Sequence, residues 1–384
     1  GHQATPAPRP APMRSIDWSP VTRLLDSAVA AEAAPGAVLG VSVRGHRFFH
    51  GTGRLGLGDP TRPDSATVYD LASLTKVVGL TTAVMLAVEE GRIDLDAPVS
   101  RYLTGYVGGG RDAVTLRHLL THSAGLPAWK PLYREAADRE ELFRLIRETP
   151  LDTVPGARTA YSDLGVILLT EVLETVHAER IDALLARRVF GPLGLGSVRY
   201  LPPDDWRPRV APTELDPWRG RLLRGEVHDE NAARMDGVSG HAGLFGNARD
   251  LLAFGEWLLG RWHDRQARSG AGDDAAAPPG SAPPRVAAAL VREFTRRQEL
   301  PPGSSRALGW DTPSPGSSAG TRLAPSSFGH TGFTGTSLWI DPERELVIVL
   351  LSNRVHPTRE NPRWGPVRAR VADLVVETLD RDSR

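Results

Sequence analysis

Residues 74–90 are the segment that most constrains how this chain can fold. They carry the spacing of a helix, which Gly91 would end as its C-cap, and their apolar side chains lie on nearly every helical face. Such a helix cannot rest on a protein surface, because it would expose apolar side chains to water on any side. We therefore predict a helix buried at the centre of the protein, with the other elements packed around it.

A serine and a lysine stand three residues apart where this helix begins. Positions i and i+3 of a helix are surface neighbours, so the Lys76 amine can reach the Ser73 hydroxyl, and first-turn N–H groups favour negative charge there. A surface Ser-x-x-Lys also arises by chance. The composition favours a catalytic role for Lys76, because only Lys76 and Lys130 of the 46 basic residues are lysines. Arginine keeps its proton in proteins, whereas a buried lysine can lose it.

The composition also excludes several classes of function. The 46 basic and 46 acidic residues balance, so no nucleic-acid surface is expected, and small neutral or zwitterionic substrates fit better. The absence of cysteine excludes disulfides, thiolate zinc sites and cysteine nucleophiles. At 384 residues, the chain suits one large catalytic unit or two intimate subdomains. No apolar run is expected to span a membrane, since the longest, at residues 346–351, has the length of a strand.

Segments with strand character lie near both ends of the chain. Residues 37–43 and 47–51 meet at a short turn, 44–46, in which a glycine can adopt positive φ. Further strands are predicted at residues 307–310, 327–332, 337–340 and 345–352. Strands from both ends around a helical middle predict one antiparallel sheet with helices on its faces, an α+β fold.

The middle of the chain has mostly helical spacing. Helices are predicted to begin at Ser19-Pro20, and to cover residues 116–120, 140–147, 163–176, 181–190, 248–262 and 367–379. Residues 225–246 are too irregular for one element and predict a functional loop, and residues 269–284 predict a low-complexity surface loop.

These elements predict a flexible tether followed by one domain. The tether would cover residues 1–18, since the first twelve are rich in alanine and proline without an apolar period. The domain would cover residues 19–384, with a sheet subdomain (19–92 and 300–384) and a helical subdomain (93–299). We interpret the tether as the remainder of export processing, which predicts a periplasmic or secreted monomer with room for a membrane tether before residue 1. A cytoplasmic protein with a disordered tail is the alternative.

Three motifs stand in a meaningful order: Ser73-x-x-Lys76, Tyr161-Ser162-Asp163 and His330-Thr331-Gly332. With residues 121–127 and 240–245, they resemble the penicillin-recognising serine hydrolases: class C β-lactamases, D-alanyl-D-alanine carboxypeptidases, D-aminopeptidases and related esterases. The resemblance covers roughly residues 20–379. It implies a β-lactamase/transpeptidase-like fold with a mostly helical inserted subdomain, and an acyl-enzyme reaction without a cofactor.

The resemblance also implies a role for each motif. Ser73 would attack the acyl carbon, and Lys76 or Tyr161 would take its proton, a choice that the sequence leaves open. The backbone N–H groups of Ser73 and Phe333 would form the oxyanion hole. A substrate would extend along the strand edge at His330, and the substrate-binding residues would be Asp163, His330, Thr331 and Gly332.

Two residues depart from the family pattern. Asp163 stands where asparagine is usual, and a carboxylate there would favour a charged Lys76 and leave more of the base role to Tyr161. His330 stands where class C β-lactamases have lysine, so a permanent cation is replaced by a group that ordinarily titrates near neutrality.

Three functions follow from these motifs. The first is hydrolysis of D-amino-acid peptides such as cell-wall stems; the second is hydrolysis of esters or weak hydrolysis of β-lactams. The third is a penicillin-fold protein that binds peptides with little turnover. No metal site is expected, because residues 228–230 lack the spacing of a histidine pair on one helical face. His122 and His241 are expected to be structural.

Overall fold

A five-stranded antiparallel sheet joins the two ends of the chain. The computed structural model describes residues 15–265 and 282–383. Its strands are, in chain order, β1 (Gly36–Val43), β2 (His46–Gly53), β3 (Tyr69–Asp70), β4 (Leu215–Asp216), β5 (Arg221–Leu222), β6 (Phe245–Gly246), β7 (Phe328–Gly332), β8 (Thr336–Asp341) and β9 (Leu346–Ser352). The large sheet has the order β2-β1-β9-β8-β7, while β3 pairs with β6 and β4 pairs with β5. Because β1 pairs with β9, the predicted sheet from both chain ends is confirmed.

Helices cover both faces of this sheet and fill the middle of the chain. They are α1 (Ser19–Ala30), α2 (Thr82–Glu89), α3 (Leu116–Leu120), α4 (Leu132–Glu135), α5 (Arg139–Glu148), α6 (Asp163–His177), α7 (Ile181–Leu185), α8 (Gly191–Leu193), α9 (Glu230–Arg234), α10 (Ala248–Trp262), α11 (Ala288–Thr295) and α12 (Gly365–Asp382). Shorter helical turns of the 3₁₀ type lie at Ala72–Leu74, Val99–Arg101, Arg111–Ala113 and Asp204–Arg209. Turns of the π type lie at Lys76–Thr81 and Ala186–Phe190.

The two sheet faces pack against different helices, as the alternation of strand side chains requires. On β9, Ile348 and Leu350 belong to the core formed with α1 and α12. The neighbouring Val347 and Val349 belong to the larger core, which contains α2, α6 and α10. Every residue of β9 is buried, which explains why its sequence is a continuous apolar run rather than an alternating one.

The predicted central helix is buried but is not one regular α-helix. It begins as a 3₁₀ turn at Ala72–Leu74, continues as a π-type turn at Lys76–Thr81 and becomes α-helical in α2. The 18 residues from Ala72 to Glu89 are long and apolar enough to cross a membrane, so the expectation that no segment has this property is wrong. Since 83% of the segment is buried inside the fold, it is a core helix.

Most other predicted elements are confirmed, with small shifts at their ends. Arg44 and Gly45 both have positive φ, at 50° and 82°, as the tight turn between β1 and β2 requires. The predicted strand at 307–310 is wrong: Gly309 has a φ of 80°, and the residues form a turn closed by the bond from Ala307 N to Trp310 O. The sequence patterns did not predict α11 or the short hairpin of β4 and β5.

The predicted tether lies mostly outside the described residues, and so does most of the predicted surface loop at 269–284. The end of the tether segment belongs to the folded domain, however. Trp18 is buried, and its ring stacks on Phe48 of β2 with 5.6 Å between the ring centroids. The folded domain therefore begins before residue 19.

Two glycines on α10 should respond in opposite directions to substitution by alanine. A Cβ on Gly255 would lie 2.6 Å from Val347 Cγ1 on β9, whereas a Cβ on Gly260 would meet nothing within 4 Å. We expect Gly255→Ala to destabilise the protein by about 1–3 kcal/mol through overpacking. Gly260→Ala should instead stabilise it by about 0.5–1 kcal/mol, because alanine favours the helix.

Urea unfolding of both variants measures these free energies. Val347→Ala introduced into the Gly255→Ala protein should recover part of the loss, since it removes the clashing methyl groups. Equal effects of the two alanines would contradict the close contact between α10 and β9.

Candidate active site

The segment that carries Ser73 is docked against the end of strand β7. Thr334 Oγ1 donates to Asp70 O at 2.8 Å, and Thr336 Oγ1 donates to Leu71 O at 3.0 Å. A Cβ on Gly332 would lie 2.7 Å from Leu71 O and 2.1 Å from Thr336 Oγ1. Glycine is therefore required at the third position of the His-Thr-Gly motif, because the nucleophile segment passes directly over it.

Lys76 lies within hydrogen-bond distance of Ser73, as its spacing predicts. Lys76 Nζ donates to Ser73 Oγ at 2.6 Å and to the backbone oxygen of His241 at 3.1 Å. It also forms an ion pair with Asp163 Oδ1 at 2.9 Å. Only 2% of the Lys76 side chain is exposed, so these three oxygens replace the water that the ammonium group would otherwise bind.

The charge of Lys76 follows from this environment. Burial alone would lower the pKa of Lys76, but the Asp163 carboxylate and Tyr161 oppose it and leave the pKa above its ordinary value. Lys76 is thus an ammonium group at neutral pH. Burial alone therefore does not leave Lys76 with a lowered pKa, and Asp163 favours the charged lysine as expected.

Tyr161 lies between two buried histidines, just before α6. Its ring centroid is 4.6 Å from that of His122 and 5.8 Å from that of His330, and Lys76 Nζ lies 5.0 Å from it. The next residue, Ser162, caps α6 by accepting from Gly165 N at 3.2 Å. The Tyr-Ser-Asp motif thus combines a helix cap with two side chains that face Lys76.

Both histidines beside Tyr161 are neutral. His122 Nδ1 accepts from Ser162 N at 3.0 Å, which holds the motif in place, and burial keeps the pKa of His122 well below its usual value. For His330, burial together with the charges of Lys76 and Arg306 lowers the pKa to about 3. Its Nδ1–H donates to Thr331 O at 2.7 Å, because a carbonyl oxygen can only accept. The expectation that His330 titrates near neutrality is therefore wrong.

One open cleft of about 810 Å³ is lined by Ser73, Tyr161, His330, Thr331 and Phe333. The structure therefore brings together the residues predicted for the nucleophile, the proton carrier, the oxyanion hole and the substrate edge. Asp163 and Gly332 are not among the lining residues, but Asp163 pairs with Lys76 and Gly332 O accepts from the lining residue Arg368. The Phe333 side chain is 49% exposed and stacks on His228 at 5.8 Å between ring centroids, so it forms part of the rim.

Two arginines of the cleft were not predicted from the sequence. Arg306 lies with its Cζ 5.2 Å from the Tyr161 ring centroid. Arg368, from α12, donates through Nη2 to Gly332 O at 2.7 Å. Burial, with a contribution from Arg354, lowers the pKa of Arg368 to about 10, which leaves it charged at neutral pH. Arginine is so frequent in this chain that no sequence signal distinguishes these two.

Asp229 and His241 also approach Lys76, although His241 was expected to be only structural. Three side-chain atoms lie within 4.8 Å of one another here: a carboxylate oxygen of Asp163, a carboxylate oxygen of Asp229 and a ring nitrogen of His241. Such spacing would suit a cation, and the ammonium of Lys76 already supplies that charge through its pair with Asp163. His228 instead contacts Glu214, at 3.0 Å from Nε2 to Oε1, so residues 228–230 do not act as one group.

The family model named Beta-lactamase matches residues 21–373 of the chain. The chain belongs to the beta-lactamase family. A relative from Salmonella paratyphi B (strain ATCC BAA-1250 / SPB7), named "Putative D-alanyl-D-alanine carboxypeptidase", is 32% identical, over 81% of this chain and 74% of the relative.

Two solved structures share the fold of this family member. A beta-lactamase from Sulfitobacter sp. EE-36 superimposes with a TM-score of 0.71 at 24% identity, over 96% of this chain and 100% of the other. A penicillin-binding protein homologue from Caulobacter crescentus gives a TM-score of 0.71 at 18% identity, over 96% and 99%. The predicted β-lactamase/transpeptidase-like fold is thus confirmed, and the chain is a member of a serine hydrolase family.

Neutral His330 should make the protein sensitive to mild acid. Its folded-state pKa lies below the ordinary value of 6.5, so the unfolded chain takes up a proton first as the pH falls. The stability that neutral His330 contributes is complete above pH 6.5 and is lost toward pH 3. We expect His330→Gln to lose about 2 kcal/mol less stability than the wild type between pH 7.5 and pH 5.

Urea unfolding at a series of pH values tests this difference. The two stability curves should run parallel above pH 7 and diverge below pH 6.5. Parallel curves down to pH 5 would show that His330 is not held neutral by the fold.

Proposed function

We propose that this protein is a serine acyl-transfer hydrolase that acts on D-amino-acid peptides through an acyl-enzyme on Ser73. The observation that carries the proposal is the 2.6 Å hydrogen bond from Lys76 Nζ to Ser73 Oγ, made by a lysine that is 2% exposed. A buried ammonium beside a serine hydroxyl stabilises negative charge that develops on the serine oxygen. The Salmonella relative, by its name, supports peptide substrates with a D-alanyl end.

The proposed reaction uses Tyr161 as the proton carrier, since Lys76 keeps its proton. Ser73 Oγ attacks the carbonyl carbon while its proton passes to Tyr161, which enters the step as a phenolate, and the oxygen of the tetrahedral intermediate rests on the N–H groups of Ser73 and Phe333. The C–N bond then breaks, and Tyr161 gives the proton to the leaving amine. Water attacks the acyl-enzyme in the second half, with Tyr161 taking and returning a proton in the same way.

A substrate carboxylate would bind to arginine rather than to the third motif. Neutral His330 cannot supply the charge of the lysine that class C enzymes have there, so the remaining cations among the described residues that line the cleft are Arg306 and Arg368. Arg306 lies 3.9 Å from the carboxylate of Asp311, which partly neutralises it. Arg368 is held against strand β7 by its bond to Gly332 O, at the edge where an extended peptide would lie.

Two further functions use the same machinery. An ester hydrolase or a weak β-lactamase needs the same acyl-enzyme, and a peptide-binding protein with little turnover would arise if Tyr161 could not serve as the base. Steady-state rates on a D-alanyl-D-alanine peptide, a short acyl ester and a chromogenic cephalosporin separate these three. A cell-wall substrate would also fit a monomer in the periplasm or outside the cell, which we include in the proposal.

Ser73→Ala should abolish the covalent adduct with penicillin, because the acyl group has no other acceptor in the proposed mechanism. Intact-mass measurement after penicillin exposure reports the adduct directly, and circular dichroism checks that the variant is folded. Ser27→Ala, an exposed change on α1, is the matched control and should keep the full adduct. A folded Ser73→Ala protein that still gains the mass of penicillin would refute the assignment.

Arg368→Gln should weaken binding of a carboxylated peptide far more than binding of a neutral ester. Glutamine can still donate to Gly332 O, so the strand edge is preserved while the charge is lost. We expect kcat/KM for the peptide to fall by roughly tenfold to a hundredfold, the value of a charge-assisted hydrogen bond of about 1.5–3 kcal/mol. The ratio of peptide to ester kcat/KM measures this effect, and an unchanged ratio would exclude Arg368 as the carboxylate site.

A further inference from the structure

His241 contacts Lys76 from the segment that joins α9 to β6. Its backbone oxygen accepts from Lys76 Nζ at 3.1 Å. Its ring is held at both nitrogens: Nδ1 lies 2.7 Å from Ser239 Oγ, and Nε2 lies 2.6 Å from Asp229 Oδ2. Only 1% of the His241 side chain is exposed. The carbonyl group that binds Lys76 is therefore fixed in place by the contacts of its own side chain.

Asp229 is held equally firmly, in an orientation that serves two partners. It is the N-cap residue of α9, and its Oδ2 accepts from Ala232 N at 2.8 Å while it contacts His241 Nε2. Burial alone would raise the pKa of Asp229, but His241, the bond from Ala232 and the charge of Lys76 lower it below its usual value. Asp229 is therefore a carboxylate close to the lysine.

Several side chains of the described residues lie around Lys76. Asp163 and Asp229 carry negative charge, His122 and His330 are neutral, and Ser73, Tyr161 and the His241 ring complete the surroundings. One ammonium group thus lies near two carboxylates that come from different elements, the start of α6 and the start of α9. A carboxylate oxygen of Asp229 lies within 4.8 Å of one from Asp163, the carboxylate that pairs with Lys76, so the negative charges of both act on the same lysine.

We propose that Asp229 is a positioning residue that, with His241, forms a second counter-charge for Lys76 and holds it as an ammonium throughout the reaction. The inference rests on the proposed acyl-enzyme mechanism, in which Lys76 acts by its charge and Tyr161 moves the proton. Either carboxylate is then sufficient to keep Lys76 protonated. Loss of Asp163 alone leaves Lys76 paired with Asp229, and both carboxylates must be lost before Lys76 can give up its proton. Asp229 touches no reacting atom, so its effect on catalysis passes through Lys76.

The chain contains only two lysines, which makes the charge of Lys76 directly measurable. In a Lys130→Arg protein labelled with lysine carrying ¹³C at Cε, the single lysine signal belongs to Lys76, and its shift reports protonation. Lys130 lies outside the proposed machinery, so this background should keep wild-type activity. We expect no deprotonation of Lys76 between pH 6 and pH 10 in this background or with Asp163→Asn alone.

Adding Asp229→Asn to the Asp163→Asn protein should lower the Lys76 midpoint by about one pH unit or more, whereas Asp229→Asn alone should leave Lys76 charged up to pH 10 through its pair with Asp163. Asparagine caps a helix as well as aspartate does, so α9 should remain folded while the charge is removed. Asp229→Ser, which also caps, provides the same test if the first variant folds poorly. An unchanged midpoint in the double variant relative to Asp163→Asn would overturn the proposal and leave Asp229 a helix cap.

The alkaline limb of the kcat profile provides the second measurement. If the ammonium of Lys76 is required, activity in the double variant should fall at a lower pH than in either single variant, and a merely structural Asp229 would not move this limb. The titration needs no turnover, so it is independent of the proposed function. A protein in which Lys76 titrates as expected but which forms no penicillin adduct would refute only the acyl-enzyme mechanism. A protein that forms the adduct but in which the Lys76 titration is unchanged by the loss of Asp229 would refute only the role of Asp229.

Discussion

The buried ion pair between Lys76 and Asp163 is the interaction on which the rest of the site depends. A lysine that is 2% exposed has lost nearly all its water, and several kcal/mol of desolvation must be offset by protein groups. The offset comes from Asp163 at 2.9 Å, Ser73 Oγ at 2.6 Å and the His241 carbonyl at 3.1 Å. Asp163 and His241 lie far from Lys76 along the chain, so only the complete fold brings these partners to the buried ammonium.

The sheet makes this convergence possible because its end supports the nucleophile. Strand β7 lies at the edge of the sheet, and hydroxyl groups of Thr334 and Thr336 hold the backbone just before Ser73. Gly332 lets the two backbones approach more closely than any side chain would permit. The fully buried strands behind β7 give this edge its rigidity, and a site placed on a rigid edge keeps its geometry better than one built on mobile loops.

Local patterns predicted the features that depend on local structure. The hairpin of β1 and β2, the buried strand β9 and the reach of Lys76 to Ser73 each follow from spacing and turn chemistry within about twenty residues. The predicted strand at 307–310 failed because Gly309 turns the chain against Thr81, a contact with a distant residue. The neutrality of His330, the place of Arg368 and the approach of Asp229 to Lys76 were missed for the same reason. Each depends on groups more than thirty residues away, whose positions only the folded chain determines.

The two departures from the family motif act together on the charge of the site. The class C pattern has a lysine in the third motif, and the family pattern has a neutral asparagine in the second. Here Asp163 and Asp229 add negative charge beside Lys76, and His330 contributes no positive charge because burial keeps it neutral. The inner site therefore carries no excess positive charge to attract a carboxylate, and the charged arginine nearest the strand edge is Arg368.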